Sequence, residues 1–229
     1  MTSRLRVVAL ILAAVTTGGC ASGGTSAAPQ PTASYGWRGV EPDPVPQRPS
    51  FVLRDTDGNR FDFAAETRGR PTYVYFGYTN CPDECPTAMA DIAAALRQSP
   101  KALRERVRVV LVTTDPDRDT APVMRRWLDQ FSADFIGLVG TQAEVDAAQK
   151  AVGLQPAQKG GPVKTLPGQP DAHEHKPGTA PHQHFGPLGY GVGHANVIFA
   201  YSVDDELPVV YPGGVRPSDI AADLPQLAG

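Results

Sequence analysis

The stretch Thr72-Tyr73-Val74-Tyr75-Phe76-Gly77-Tyr78-Thr79-Asn80-Cys81-Pro82-Asp83-Glu84-Cys85-Pro86 changes character twice within a short span. Through Tyr78 it is aromatic and β-branched, which favours a strand. Two cysteines four residues apart follow. An Ala-rich stretch to about Gln98 then has the make-up of a helix. Val107 to Thr113 is a continuous apolar run of the kind buried on both faces of a parallel sheet, so residues 72–113 read as a βαβ unit. A further helix is predicted from about Thr120 to Phe131, with Met124, Trp127, Leu128 and Phe131 on one stripe. Phe135 to Val139 reads as a third core strand. Thr141-Gln142-Ala143-Glu144 has the spacing of a capping box, opening a helix that stops at Gly153.

Upstream, Phe51-Val52-Leu53 and Arg60-Phe61-Asp62-Phe63 flank Asp55-Thr56-Asp57-Gly58-Asn59, a hairpin closed by a Gly-containing turn. Downstream, residues 155–193 lose periodicity, are rich in Gly, Pro and Lys, and carry four histidines, which is the composition of a long surface loop. His194 to Val203 and Leu207 to Tyr211 are predicted as two strands around Asp204-Asp205-Glu206, with a short helix after Pro217-Ser218. The expectation is an α/β protein of thioredoxin-like fold: a central mixed sheet flanked by helices, with an N-terminal hairpin and a long His-rich loop insertion.

The 229 residues are 41% hydrophobic and 20% charged, with a formal net charge of -3. No cluster of Lys and Arg is long enough for a phosphate-binding track, so nucleic acid is not an expected partner. Residues 1–19 have the build of a signal peptide, with Arg4 and Arg6 before an apolar run from Val7 to Val15 and small residues leading to Cys20. Thr17-Gly18-Gly19-Cys20 resembles a bacterial lipobox, although the commonest form has Leu three places before the cysteine. The expectation is an exported lipoprotein acylated on Cys20 and anchored to the outer face of the cell membrane. Residues 20–49, rich in Ala, Gly, Ser and Pro, read as a flexible tether. Residues 50–229 read as one folded domain.

With Cys20 given to lipid, only Cys81 and Cys85 remain of the three cysteines. A bridge between residues so close closes too small a loop to stabilise a fold much through chain entropy, so redox or metal chemistry is left. Pro86 suits the first helical position, which places Cys85 at the helix N-cap. Both sulfurs then lie near the positive end of a helix dipole, which favours thiolate. C-x-x-C is the usual redox spacing. The extra residue in C-x-x-x-C gives a looser pair able to converge on one metal ion.

Three stretches are similar to the Sco/SenC copper proteins of cytochrome oxidase assembly: Tyr75-Phe76-Gly77-Tyr78-Thr79-Asn80-Cys81-Pro82-Asp83-Glu84-Cys85-Pro86, Thr114-Asp115-Pro116-Asp117-Arg118-Asp119-Thr120, and Gly193-His194-Ala195-Asn196-Val197-Ile198-Phe199. The resemblance covers roughly residues 45–229. It implies one copper ion held by Cys81, Cys85 and His194, with Asp115 as a nearby carboxylate that orients the site. It further implies delivery of copper to the binuclear copper site of a cytochrome c oxidase subunit, with another extracytoplasmic copper chaperone as a possible donor. Two thiolates and one imidazole suit Cu(I), and the imidazole makes Cu(II) tolerable. Asn80 stands where many relatives have His, Ala121 separates Thr120 from Pro122, and the 155–193 loop is longer than typical.

The residues leave alternatives open. A thiol-disulfide oxidoreductase that keeps the oxidase's copper-site cysteines reduced needs Cys81 and Cys85 as a redox pair and has no need of His194. Asp115 before Pro116 also suits a turn or a cap. His173, His175, His182 and His184 form two H-x-H pairs, a composition that binds metal weakly or simply stays solvated, and they are candidate auxiliary metal ligands.

Overall fold

The structure is a computed structural model that describes residues 36–160 and 190–229, and residues 182–185 as backbone. Its centre is β3 (Thr72–Gly77), every residue of which is buried. Alternation along this strand divides the interior. Tyr73 and Tyr75 enter one apolar cluster and Val74 and Phe76 the other, so a strand with no polar face is what a sheet covered on both sides requires. β4 (Arg108–Thr113) pairs with β3 in parallel, and β5 (Ile136–Val139) pairs with β4 in parallel. The hairpin strands β1 (Val52–Asp55) and β2 (Arg60–Asp62) extend the sheet antiparallel beyond β5. On the other side β9 (Val197–Tyr201) runs antiparallel to β3 and is followed by β10 (Val209–Pro212). The seven-stranded order is β10-β9-β3-β4-β5-β1-β2.

Helix α2 (Glu84–Gln98) and helix α6 (Pro217–Leu227) pack on one another and supply Met89, Ile92, Ile220 and Leu224 to the first cluster. Helix α4 (Ala121–Leu128) adds Met124 and Leu128 to that face, and α5 (Gln142–Ala151) gives Val145 and Ala148 to the opposite one. The capping box expected at Thr141 and Glu144 is present in both directions. Two short helices had no signal in the sequence, α1 (Phe63–Thr67) and α3 (Lys101–Arg104). No helix among the described residues is long and apolar enough to cross a membrane.

Three expectations need correction. The folded region starts before residue 50. Within the span read as a tether, Val40 and Val210 exchange backbone hydrogen bonds of 2.8 and 2.9 Å, and Leu207 N–H donates to the Pro46 carbonyl at 2.8 Å. The Arg48 side chain is buried and donates to Asp205, Thr67, the Arg70 carbonyl and the Ser202 carbonyl. The segment covers the β10 edge, and a Pro-spaced chain can do so because it needs only a few of its own N–H groups.

The second correction concerns residues 155–193, which are not all loop. β6 (Gln158–Lys159), β7 (His182–Phe185) and β8 (Gly191–His194) make a separate small antiparallel sheet in the order β6-β8-β7. Third, His194 closes β8 instead of opening β9. Gly-rich β8 has Val192 as its one β-branched residue, too weak a signal to announce a strand. The candidate ligands His173 and His175 lie outside the described residues, as do residues 1–35 with Cys20.

Candidate metal centre

Cys81 and Cys85 are positioned locally. β3 ends at Gly77, and the loop after it is fastened by Asp119, whose carboxylate accepts from Thr79 N–H at 3.1 Å, Thr79 Oγ1 at 2.6 Å and Thr113 Oγ1 at 2.7 Å. Helix α2 then opens with Asp83 at the N-cap, its carboxylate accepting from Glu84 N–H. Cys85 therefore sits in the first turn and not at the cap, the position the sequence reading gave it. Its backbone N–H donates to Cys81 Sγ at 3.4 Å, a contact in which an orphan helix-end donor is satisfied by the other cysteine. Gly77 has to be glycine, since a Cβ there would lie 2.8 Å from Cys85 Sγ and 2.7 Å from the Tyr75 ring.

His194 arrives from the far end of the chain. Its Nε2 lies 3.4 Å from Cys85 Sγ, and its Nδ1 is 3.2 Å from the Ala195 carbonyl. The Tyr75 and Tyr78 rings stand nearly perpendicular to the imidazole, with interplanar angles of 79° and 82° and centroids 5.9 and 5.6 Å away. The Tyr75 hydroxyl in turn donates to Asn196 Oδ1 at 3.0 Å, fixing the residues that follow His194. Cys81, Cys85 and His194 are 5%, 0% and 2% exposed. Their donor atoms lie within 4.8 Å of one another, and they are the one such cluster of metal-binding side chains among the described residues. Three donors each roughly 2.0–2.3 Å from one ion would be about 3.3–4.0 Å apart, and the 3.4 Å between His194 Nε2 and Cys85 Sγ already has that spacing.

The two sulfurs are not equivalent. The hydrogen bond from Cys85, reinforced by His194, holds the Cys81 thiol down toward about 4 against burial. Burial is the dominant effect on Cys85 and pushes its thiol up, and the thiolate of Cys81 adds to this. An activated thiol is thus found at Cys81, held down by hydrogen bonds from Cys85 and His194, whereas desolvation suppresses the one expected at Cys85.

Asp115 is completely buried but lies outside the three-donor cluster. It pairs with Arg118 and accepts from the Tyr190 hydroxyl at 2.8 Å, and its own N–H donates to Thr113 Oγ1. Its route to the donors runs through Arg118, whose guanidinium lies 5.6 Å from the Tyr78 ring. Sequence reasoning gave no role to Arg118, Asp119, Tyr75, Tyr78, Tyr190 or Asn196. Five of these lie in or beside the quoted motifs, and the signal that was passed over is that the Tyr hydroxyls and acidic groups need partners once buried. His182 and His184 stand on β7, their backbones opposite His194 and Val192 of β8.

The profile of a known family, SCO1/SenC, matches residues 41–176 of this sequence. The chain belongs to the SCO1/SenC family. Among curated SCO1/SenC relatives, the SenC protein of Rhodobacter capsulatus is 44% identical over 85 residues, 36% of this chain and 37% of its own. The chain spans about half or less of the length of the curated relatives it matches. Among solved structures, copper-bound ScoI of Bradyrhizobium japonicum is 25% identical, with a TM-score of 0.56 over 80% of this chain and 99% of that one. Apo Sco1 of Thermus thermophilus has a TM-score of 0.63 at 24% identity, covering 85% and 99%. The mixed sheet flanked by helices is the thioredoxin-like arrangement of these SCO1/SenC structures, as the sequence led us to expect.

Proposed function

We propose that this SCO1/SenC protein is a copper metallochaperone that holds one copper ion between Cys81, Cys85 and His194 and passes it to the binuclear copper site of a cytochrome c oxidase subunit. The observation that carries this reading is the convergence of two sulfurs and one imidazole, buried and within 4.8 Å, from sites 109 residues apart in sequence. Two soft sulfurs and a borderline nitrogen select copper over hard cations, and a bound copper supplies an exchangeable ion whose charge the thiolates balance. Cys81 is deprotonated in advance of metal binding, whereas Cys85 gives up its proton when the metal enters. Tyr75 and Tyr78, both buried, stand nearly perpendicular to the imidazole and keep water from it.

Cellular placement is part of the proposal. Residues 1–19 would be a signal peptide, acylation of Cys20 would anchor the chain on the outer face of the cell membrane, and the segment up to residue 35 would be the tether to the folded region. The donor would be another extracytoplasmic copper chaperone. His173, His175, His182 and His184 would be auxiliary copper ligands, a reading supported by the β7 register that sets His182 opposite His194.

A specific observation also favours a thiol-disulfide oxidoreductase. A low Cys81 thiol beside a buried, raised Cys85 is the division of labour between an attacking and a resolving cysteine. In that reading the Cys81 thiolate attacks a disulfide of the oxidase subunit and releases one thiolate. Cys85, losing its proton, then displaces the second, so that the oxidase disulfide gains two electrons and Cys81–Cys85 becomes the disulfide.

His194→Ala separates the two. Copper titration of the purified domain with metal-edge spectroscopy should show two sulfurs and one nitrogen in the parent, and an affinity weakened by more than about a hundredfold in the variant. Oxidase maturation should fail while Cys81 and Cys85 still form a disulfide. Normal maturation with His194→Ala would overturn the chaperone reading in favour of the reductase.

A further inference from the structure

Arg118 stands outside the three-donor cluster, on the loop after β4, yet it touches the parts that close over that cluster. Its guanidinium lies 3.7 Å from the Tyr190 ring centroid and 5.6 Å from that of Tyr78. Nη1 donates to the Tyr190 carbonyl at 3.1 Å, and Nε pairs with Asp115, which also accepts from the Tyr190 hydroxyl. Lys159 of β6 pairs with Asp117 of the same loop and lies 5.7 Å from the Tyr190 ring. Tyr190 immediately precedes β8, whose last residue is His194. These contacts join the 113–119 loop to the small sheet that carries the imidazole. Because all three donors are buried, an acceptor has no direct path to an ion between them while that sheet is held down. Arg118 Nη2 is buried without a hydrogen-bond partner. The closed arrangement thus leaves one strong donor unsatisfied, which is a feature of a latch and a poor one for a purely structural arginine.

We propose that Arg118, stacked on Tyr190 and paired with Asp115, is a positioning residue that holds the His194 strand closed over Cys81 and Cys85, and that its release opens the site for metal transfer. The proposal rests on the three-ligand copper reading for what is transferred, but the closure itself belongs to the metal-free protein as well. Arginine is suited to this work because one planar group stacks on a ring while its edge donates to a carboxylate and a carbonyl.

The test compares the full chain with Arg118→Ala, Arg118→Lys and, as a control, Arg125→Ala, which removes an arginine bound to Asp129 and the Phe135 carbonyl away from the site. Three rates are read: copper loss to a competing Cu(I) chelator, alkylation of the cysteine thiols without metal, and amide exchange without metal. For Arg118→Ala, copper loss and alkylation should rise on the order of tenfold. Faster exchange should be confined to residues 158–160 and 190–194. Arg118→Lys should recover only part of the effect, because an ammonium keeps the charge without the stacking plane. The Arg125→Ala control should leave alkylation and copper loss near the parent rates.

Unchanged alkylation and exchange in Arg118→Ala would overturn the proposal, as would faster exchange spread equally through β3 and β4. If the parent took up no copper while the metal-free rates still responded, the copper reading would fall and the closure would stand.

Discussion

The two cysteines and the histidine are held by different kinds of structure. Cys81 and Cys85 share one loop and the first turn of α2, tied by a backbone N–H to sulfur contact between them. His194 ends a strand of a small secondary sheet and depends on Tyr75, Tyr78, Tyr190 and Arg118, which come from three separate parts of the chain. One half is short-range and rides on the main sheet. The other is assembled at long range and has fewer supports. A perturbation should therefore remove the imidazole before it removes the thiol pair, and this ordering can be attacked from both sides.

The largest expected effect lies on the thiol half. In the metal-free protein, the pH midpoint for Cys81 alkylation should fall near about 4 and not near the ordinary 9.0. The same shift makes a stability statement. The folded Cys81 thiol is lower than the unfolded one, so the unfolded chain binds more protons between the two values. The stabilisation is full above about pH 9 and drains away as pH falls toward about 4, which urea titrations of the metal-free protein across that window should reveal. A midpoint at the ordinary thiol value would erase the distinction between the two sulfurs.

Next in size is Met89→Ala, which removes a completely buried side chain beneath α2. It should cost about 2–5 kcal/mol in denaturant unfolding, because the cavity adds to the lost transfer energy. In denaturant the His194 ligand should be lost before global unfolding, whereas the Cys81–Cys85 pair should be lost only with it. The smallest effect is Tyr75→Phe, which deletes the hydroxyl bond to Asn196 and keeps the ring. A cost of about 1 kcal/mol is expected. Weaker copper binding with an unaltered Cys81–Cys85 disulfide would confirm that the histidine half yields first. Equal loss from both halves would break the comparison.

How much of this was legible depended on how local the cause was. The β3 run, the Thr141 capping box and the Asp55–Asn59 turn each express a preference over a few residues, and each formed where it was read. Residues 36–49 were read as tether because Pro-spaced sequence has no periodicity. Their attachment through Arg48 and Val40 uses partners more than 150 residues away. Strand β8 was missed for a similar reason: a Gly-rich strand has little propensity and forms because β6 and β7 flank it. The Cys85 assignment failed on energetics, since burial at the helix start outweighs the dipole that the sequence predicts.

The sequence by itself determined the two-sided central sheet, the βαβ core and a cysteine pair at the start of a helix, because hydrophobic periodicity, caps and turns act over a handful of residues. It also supplied the histidine. Only the tertiary structure decided that this histidine meets the sulfurs, that one thiol is activated while its neighbour is suppressed, and that Arg118 and Tyr190 close the site. Those outcomes depend on burial and on contacts between residues distant in sequence, and no local pattern of side chains encodes either.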